Sequence, residues 1–373
     1  MIESLLMSGV LLVTILLHTG KIVPVTTESR FLLFVLTLFF ACVSVMYFLA
    51  RVDHSFLSSF SQLAEMSYGW VWITAFLSVW LGKCCCKTWL KVASGAVGVL
   101  LLVLLAGILV HAAGYLPYRW GLSYTYAGYS RPHGMLMSPL EAGIVALVTW
   151  AWGMFWMAQS DTRRWIGTLL VGMSSAAVYL TLSRSAWLGL GVAVGVGTLF
   201  ALHRRFLWLP LGVTVGVFAL SSLALPIGWS RSVYAAQGDP SVASRLTAWH
   251  KMPTTLAQYP FGVPDEVRSV AIRRQEIAQP GSALNFYVEI GLAYGVLPLL
   301  LTGMLFFLLL LRAWQLGSSN LPEFAWGLGT IATVVALLFT YPSVLVSIPL
   351  GGFWGMVSAM EVRPDATTRV HTD

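Results

Sequence analysis

Charge is what this chain has least of: Asp, Glu, Lys and Arg make up 10% of its 373 residues, where soluble domains carry about 25%. With 57% hydrophobic residues, that scarcity excludes an ordinary soluble domain and indicates a polytopic membrane protein. Cysteine is scarce too. Cys42 stands alone, and Cys84, Cys85 and Cys86 are contiguous between Lys83 and Lys87. Adjacent cysteines do not surround a tetrahedral metal without distortion, no histidine lies near them, and no pair makes a disulfide framework. Free thiols at a reducing cytoplasmic face fit them better. Residues Met1 to Ser4 lack a basic stretch, so Leu5–Leu17 reads as part of a retained span and not as a cleaved leader. There is no Walker loop, dinucleotide fingerprint or H-E-x-x-H motif, and the lone histidines have no metal-ligand spacing. No cofactor and no metal is therefore expected. The net charge of +7 is dispersed over loops and forms no stripe for nucleic acid. Internal repeats and low-complexity tracts are not evident.

What is present is apolar sequence in long runs. Hydropathy places about eleven membrane spans, near 2–20, 31–50, 66–82, 89–112, 135–158, 165–182, 186–202, 206–225, 284–311, 321–341 and 343–360. The expected fold is all-α. Residues 1–112 form N-terminal transmembrane helices and 113–134 an outer aromatic loop. Residues 135–225 form central transmembrane helices, 226–282 a large outer loop with short helices, 283–360 C-terminal transmembrane helices and 361–373 a cytoplasmic tail. Twelve basic residues fall on one face: Lys21, Arg30, Lys83, Lys87, Lys91, Arg163, Arg164, Arg204, Arg205, Arg312, Arg363 and Arg369. The opposite short loops hold only Arg51, Arg119, Arg131 and Arg184. The positive-inside rule makes the twelve-residue face cytoplasmic, with the N-terminus outside and the C-terminus inside.

Two outer segments stand out. Ala113–Gly134 carries Tyr115, Tyr118, Trp120, Tyr124, Tyr126 and Tyr129, the composition of an interfacial aromatic belt or of a sugar-stacking platform. Pro226–Ser282 is longer than a compact protein needs for a connection. Within it Pro240-Ser241 starts a short helix with Arg245 and Trp249 on one face, four residues apart. Pro264-Asp265-Glu266 starts a second helix with an apolar stripe of Val267, Val270, Ala271 and Ile277, and Pro280-Gly281 ends it. This segment is expected to lie on the outer surface as a lid.

The least expected residue is Arg184, in Thr181-Leu182-Ser183-Arg184-Ser185-Ala186-Trp187, in the middle of the apolar run from Trp165 to Leu202. A guanidinium at the membrane edge costs several kcal/mol unless paired or hydrated. On the topology above, the other unusual polar groups converge on the same outer edge: Arg131, Glu141, Arg245, and Asn285 with Glu289, four apart on one helix face. Arg184 is expected to pair with Glu289 or Glu141. Several arginines facing one outer cavity suit a diphosphate, because guanidinium forks bind phosphate oxygens two at a time. For each arginine alone the alternative is a snorkelling helix-end anchor. For Glu141 and Glu289 the alternatives are a structural partner of arginine or a catalytic role.

Taken together these residues resemble the O-antigen ligase and polymerase superfamily of bacterial membrane glycosyltransferases. The likeness is carried by Arg131-Pro132-His133-Gly134 with Ser138-Pro139-Leu140-Glu141-Ala142-Gly143, and by Leu182-Ser183-Arg184-Ser185-Ala186. Ser244-Arg245-Leu246 with Trp249 and Tyr259-Pro260-Phe261-Gly262 follow, then Leu284-Asn285-Phe286-Tyr287-Val288-Glu289 with Gly291 and Gly295. It covers roughly Gly128 to Leu300. The resemblance implies a GT-C-like, metal-independent glycosyltransferase of the bacterial cytoplasmic membrane, with an extracytoplasmic active face. Its donor would be an undecaprenyl-diphosphate-linked glycan. Its acceptor would be a sugar hydroxyl on another glycan or on a glycolipid. Arg131, Arg184 and Arg245 would hold the diphosphate and stabilise it as leaving group. Glu289, His250 and Asn285 would serve catalysis, supported by Glu141, Tyr287 and Trp249.

The sequence departs from the family at Leu284, which falls where the family has a histidine. Three readings follow: Glu289, His250 or His133 acts as base; the leaving group does most of the work; or transfer activity is lost. A carboxylate held among arginines stays ionised and accepts a proton weakly, which favours positioning over strong base catalysis. Two other functions share the composition. A transporter or flippase for a lipid-linked or anionic substrate would spread polar groups through the bilayer midplane with repeat symmetry. A non-catalytic membrane subunit of polysaccharide assembly would tolerate Leu284.

Overall fold

The computed structural model describes residues 86–115, 125–126, 129–134, 136, 138–158, 161–201, 207–226, 240–263, 286–317, 321–340 and 344–359. They form a helical bundle with one small hairpin. The elements in chain order are α1 (Cys86–Ala112), β1 (Thr125–Tyr126), β2 (Tyr129–Ser130), α2 (Pro139–Met157), α3 (Asp161–Leu180), α4 (Arg184–Ala201) and α5 (Trp208–Ala224). α6 (Pro240–Gln258), α7 (Phe286–Tyr294), α8 (Val296–Gly317), α9 (Leu321–Leu337) and α10 (Val344–Ala359) follow. β1 and β2 pair antiparallel, Thr125 opposite Ser130 and Tyr126 opposite Tyr129. This ladder is a small exception to the expected all-α fold and sits in the aromatic loop.

α2 is the hub. Its start is set locally: the Ser138 hydroxyl accepts the Glu141 N–H at 3.3 Å, and Pro139 follows in the first turn, where its missing N–H is no loss. From there the sequence is apolar on all sides, the signature of a helix surrounded by others. α2 packs against α1, α3, α4, α9 and α10, and 83% of its apolar window is buried, against 39% for α4 and α8. The outward faces of the outer helices stay apolar, with Leu199, Phe307 and Trp314 exposed. That is the arrangement expected of a bundle solvated by lipid. By length and composition α2, α4 and Val296–Leu316 of α8 are each able to cross a membrane, and Leu101–Ala112, Trp208–Ala224 and Phe324–Leu337 are shorter apolar helices.

Packing inside the bundle relies on small residues and on satisfied indoles. α2 and α3 cross at Gly153 and Gly167, where a Cβ on Gly167 would lie 2.5 Å from the Met157 nitrogen and 2.6 Å from the Gly153 carbonyl oxygen. The buried Trp150 indole donates to Thr214 Oγ1 at 2.8 Å, tying α2 to α5. The Trp354 indole donates to Thr333 Oγ1 at 3.0 Å, tying α10 to α9. In an apolar medium each such group would otherwise cost several kcal/mol.

The expected spans from 89–112 onward each coincide with a helix, with one correction. The span placed at 284–311 is two helices, α7 and α8, broken at Gly295. The spans at 2–20, 31–50 and 66–82, the residues Cys42, Cys84 and Cys85, the second loop helix at 264–279 and the tail at 361–373 lie outside the described residues.

The close crossing makes a prediction. Gly167→Ala must push α2 and α3 apart and lower stability by about 1–3 kcal/mol. Gly212→Ala has open space around its Cβ, so gaining helix propensity leaves stability unchanged or raises it by about 0.5–1 kcal/mol. Thermal melting of the detergent-purified variants separates the two; equal melting temperatures would rule out the tight crossing.

Candidate functional site

α3 ends at Leu180 and α4 begins at Arg184, so three residues make the whole turn. The turn is strained: Leu182 has φ +49°, a left-handed conformation that costs a non-glycine residue about 1–3 kcal/mol. Burial and hydrogen bonds hold it. Leu182 is buried, its N–H donates to the Tyr179 carbonyl at 2.9 Å, and the Thr181 N–H donates to the Ala177 carbonyl at 3.0 Å. The two carbonyls that the turn leaves over are taken by one side chain. Arg131 Nε donates to Thr181 O at 3.0 Å and Nη2 to Leu182 O at 3.4 Å. The planar fork thus closes the end of α3, where cations are favoured. Trp187, one turn into α4, donates its indole N–H to the Val178 carbonyl at 2.9 Å and stacks on Tyr179 with centroids 5.4 Å apart. Arg184 itself is half-buried at the first position of α4.

Arg131 is delivered by a braced loop. It follows β2, whose Tyr129 phenol is pushed above its usual range by burial first and by neighbouring Tyr179 second, so it stays protonated. After Arg131, His111 Nδ1 accepts the backbone N–H groups of His133 and Gly134 at 3.3 and 3.2 Å. His133 Nδ1 lies 2.6 Å from the Leu136 carbonyl and is therefore assigned as the N–H donor. The two rings meet edge to face, 4.8 Å between centroids. Gly134 has φ +63°, and a Cβ there would lie 2.7 Å from the backbone of Gly107 and Ile108 on α1. His133, weighed as a base in the sequence, is thus buried and committed to its own loop. Past it, Glu141 is buried in the first turn of α2. Two residues on, Gly143 abuts Ser183 and Ala186, where a Cβ would lie 2.6 Å from that of Ala186. Arg131, Glu141 and Arg184 therefore share one end of the bundle.

The segment between α5 and α7 supplies a second half. α6 starts at Pro240 as expected but runs to Gln258, through Pro253, far longer than the short helix read from the sequence. Trp249 packs on Phe339 beyond α9, ring centroids 5.7 Å apart, while His250 is exposed. A Cβ on Gly291 of α7 would lie 2.6 Å from Met252 Cε, so α6 lies directly on α7. Tyr259-Pro260-Phe261-Gly262 then clips onto the break after α7. Gly295 turns left-handed at φ +87°, and the Val296 N–H no longer reaches Leu292. It donates to Pro260 O at 2.9 Å, while the Val263 N–H donates to Leu292 O at 2.8 Å. The two groups orphaned by the break are satisfied by the loop, and a Cβ on Gly295 would collide with Pro260 O. The sequence singled out both motifs, but nothing in it showed that they bond to each other.

Glu289 is buried on α7 and Tyr287 half-buried, its ring edge-on to Phe306 with centroids 5.1 Å apart. α9 brings the two halves to one level. It runs antiparallel to α4, Gly189 against Ala332 and Gly197 against Leu328. Arg184 lies about 8 Å above Gly189 and Phe339 about 10 Å above Ala332, at about 1.5 Å per residue. Arg245 lies in α6, with its side chain outside the described residues; Leu284 and Asn285 lie outside them altogether. Beside the turn, a groove of about 450 Å³ runs down between α4 and α5, lined by Tyr179, Trp187, Gly191, Val194, Thr214 and Phe218. Among the described residues no three His, Cys, Asp or Glu side chains are grouped as a metal site would need.

Residues 168–303 match the family model of O-antigen ligase. The matched stretch runs from α3 through the Ser-Arg turn and the segment carrying α6 into α8, and leaves Arg131 and Glu141 before it. No curated protein matches the chain.

The brace on the turn is open to test. Arg131→Lys keeps the charge but not the two-pronged fork, and loses about 1–3 kcal/mol of local stability. Backbone amides across 179–187 then exchange hydrogen faster by roughly one to two orders of magnitude, as that loss implies. Unchanged exchange there would show that the fork does not hold the turn.

Proposed function

We propose that this member of the O-antigen ligase and polymerase superfamily transfers glycan from an undecaprenyl-diphosphate carrier to a sugar hydroxyl at the outer face of the cytoplasmic membrane. The chain is a multi-pass membrane protein of the O-antigen ligase or polymerase type; donor, face and residue roles are the proposal. The observation that carries it is the conjunction at the Ser-Arg turn: a half-buried arginine opens α4, and Trp187, Gly191 and Val194, three, seven and ten residues on along the same helix, line an apolar groove between α4 and α5. A polyprenyl diphosphate has both parts, a charged head and an apolar tail.

In this reading Arg184, with Arg245 from the docked loop, binds the diphosphate and stabilises it as the glycosyl bond to it breaks. The acceptor hydroxyl forms the new bond to the sugar and loses its proton, and the carrier diphosphate leaves. Arg131 acts chiefly as a positioning residue, through the carbonyls it holds. Glu289, beneath the docked loop with Tyr287 on α7, orients the acceptor together with Asn285, and Trp249 seats the loop on Phe339. Glu141 supports the cluster from α2. His250, exposed on α6, is the remaining histidine to take the acceptor proton where Leu284 cannot. The acceptor is a glycan or a glycolipid. Neither a transporter with midplane polar groups nor an accessory subunit accounts as directly for an arginine at the head of an apolar groove.

The test is gene deletion with surface-polysaccharide analysis, complemented by wild type, Arg184→Ala and Arg184→Lys. Deletion leaves single lipid-linked units or unattached chains. Wild type restores product, Arg184→Ala lowers it by about a hundredfold or more while still inserting, and Arg184→Lys restores part. Full restoration by Arg184→Ala would remove Arg184 from the reaction.

A further inference from the structure

A second cavity, of about 320 Å³, opens at the other end of the bundle. α2 separates it from the Ser-Arg turn by about 28 Å, since its 19 residues rise about 1.5 Å each. Its walls are Met154 and Met157 at the end of α2, Leu207, Leu209 and Pro210 at the start of α5, and Arg164 from the first turn of α3. The Arg163 guanidinium, from the residue before Arg164, sits 5.7 Å from the ring centroid of Trp156, the residue before Met157, so a second cation is held on the residues next to the lining. In the sequence Arg204 and Arg205 lie just before Phe206-Leu207, and the acidic residues in the connections and first turns leading into α3, α5 and α9 are Asp161 and Glu323. The basic-residue count makes this the cytoplasmic side. Nothing in glycan transfer at the opposite end uses the cavity.

We propose that this cavity binds an anionic phospholipid of the inner leaflet, its phosphate on Arg163 and Arg164 and the upper part of an acyl chain against Met154, Met157 and Leu209. The combination selects the ligand. A free phosphate has no use for the apolar walls. A zwitterionic headgroup brings its own cation to a site that already carries two. A lipid with net negative charge matches both parts, as basic pockets between helices on the cytoplasmic side do. Guanidinium forks suit the phosphate, and methionine side chains adapt to a mobile chain. The site is independent of the donor site proposed above.

The test is native mass spectrometry of the full-length protein released from detergent, titrated with phosphatidylglycerol or phosphatidylcholine. Wild type retains phosphatidylglycerol about tenfold or more tightly than phosphatidylcholine, on the scale expected for two arginines at a membrane surface. Arg163→Ala with Arg164→Ala loses that preference; both positions are exposed, so the fold tolerates the change. Leu209→Trp, also exposed, fills the cavity with the charges intact and weakens retention. Arg369→Ala, a charge removed from the tail, leaves retention unchanged. The proposal is overturned if wild type shows no preference, if the double variant or Leu209→Trp binds as wild type does, or if inorganic phosphate displaces the lipid.

Discussion

The pairing of one guanidinium with two backbone carbonyls, Arg131 with Thr181 and Leu182, is the interaction on which the candidate site rests. A helix that stops at the membrane edge leaves carbonyls with little water to take them up. The chain stops α3 in three residues, with Leu182 forced left-handed, and begins α4 directly with Arg184. Without a donor for the freed carbonyls the turn would relax, and the first residue of α4 would lose its direction. The loop that delivers Arg131 is itself fastened, through His111 to the N–H groups of His133 and Gly134. Polar atoms here stabilise a backbone that in turn aims another polar atom.

The same requirement is met a second time, by exchange. At Gly295 the helical bond between Val296 and Leu292 is given up, and Pro260 and Val263 of the outer loop take the two loose ends. The cost of breaking a helix inside an apolar bundle is thereby offset by docking a loop that Trp249 and Met252 also help to seat. A segment seated by backbone hydrogen bonds keeps a definite register against α7, which carries Tyr287 and Glu289. The turn at Leu182 and the break at Gly295 thus both lie at the candidate site, in line with the rule that irregular backbone at membrane depth occurs where protein surrounds it.

The two ends of the bundle carry different chemistry. At one, arginines, carboxylates and aromatic rings gather around strained backbone above a groove. At the other, Arg164 lines an apolar cavity at the end of α2 and the starts of α3 and α5, with Arg163 next to it in the chain. Among the described residues, the left-handed Leu182 lies where a substrate is proposed to react.

Much was legible beforehand, for physical reasons. Apolar runs of helical length declare bundle helices because no other structure satisfies a backbone in lipid, and every described run became a helix. Pro240 marked the start of α6, since helix-start signals are local. Arg184 stood out because a charge in an apolar run needs a reason. The sequence alone determined these elements and the residue types at the site, along with the family likeness that the match over 168–303 bears out. Only the tertiary structure decided that Arg131 grips the turn, that His133 is bound to its own loop, and that the span around Gly295 is broken by Pro260. Those outcomes join residues far apart in the chain, and hydropathy, periodicity and capping are rules about neighbours.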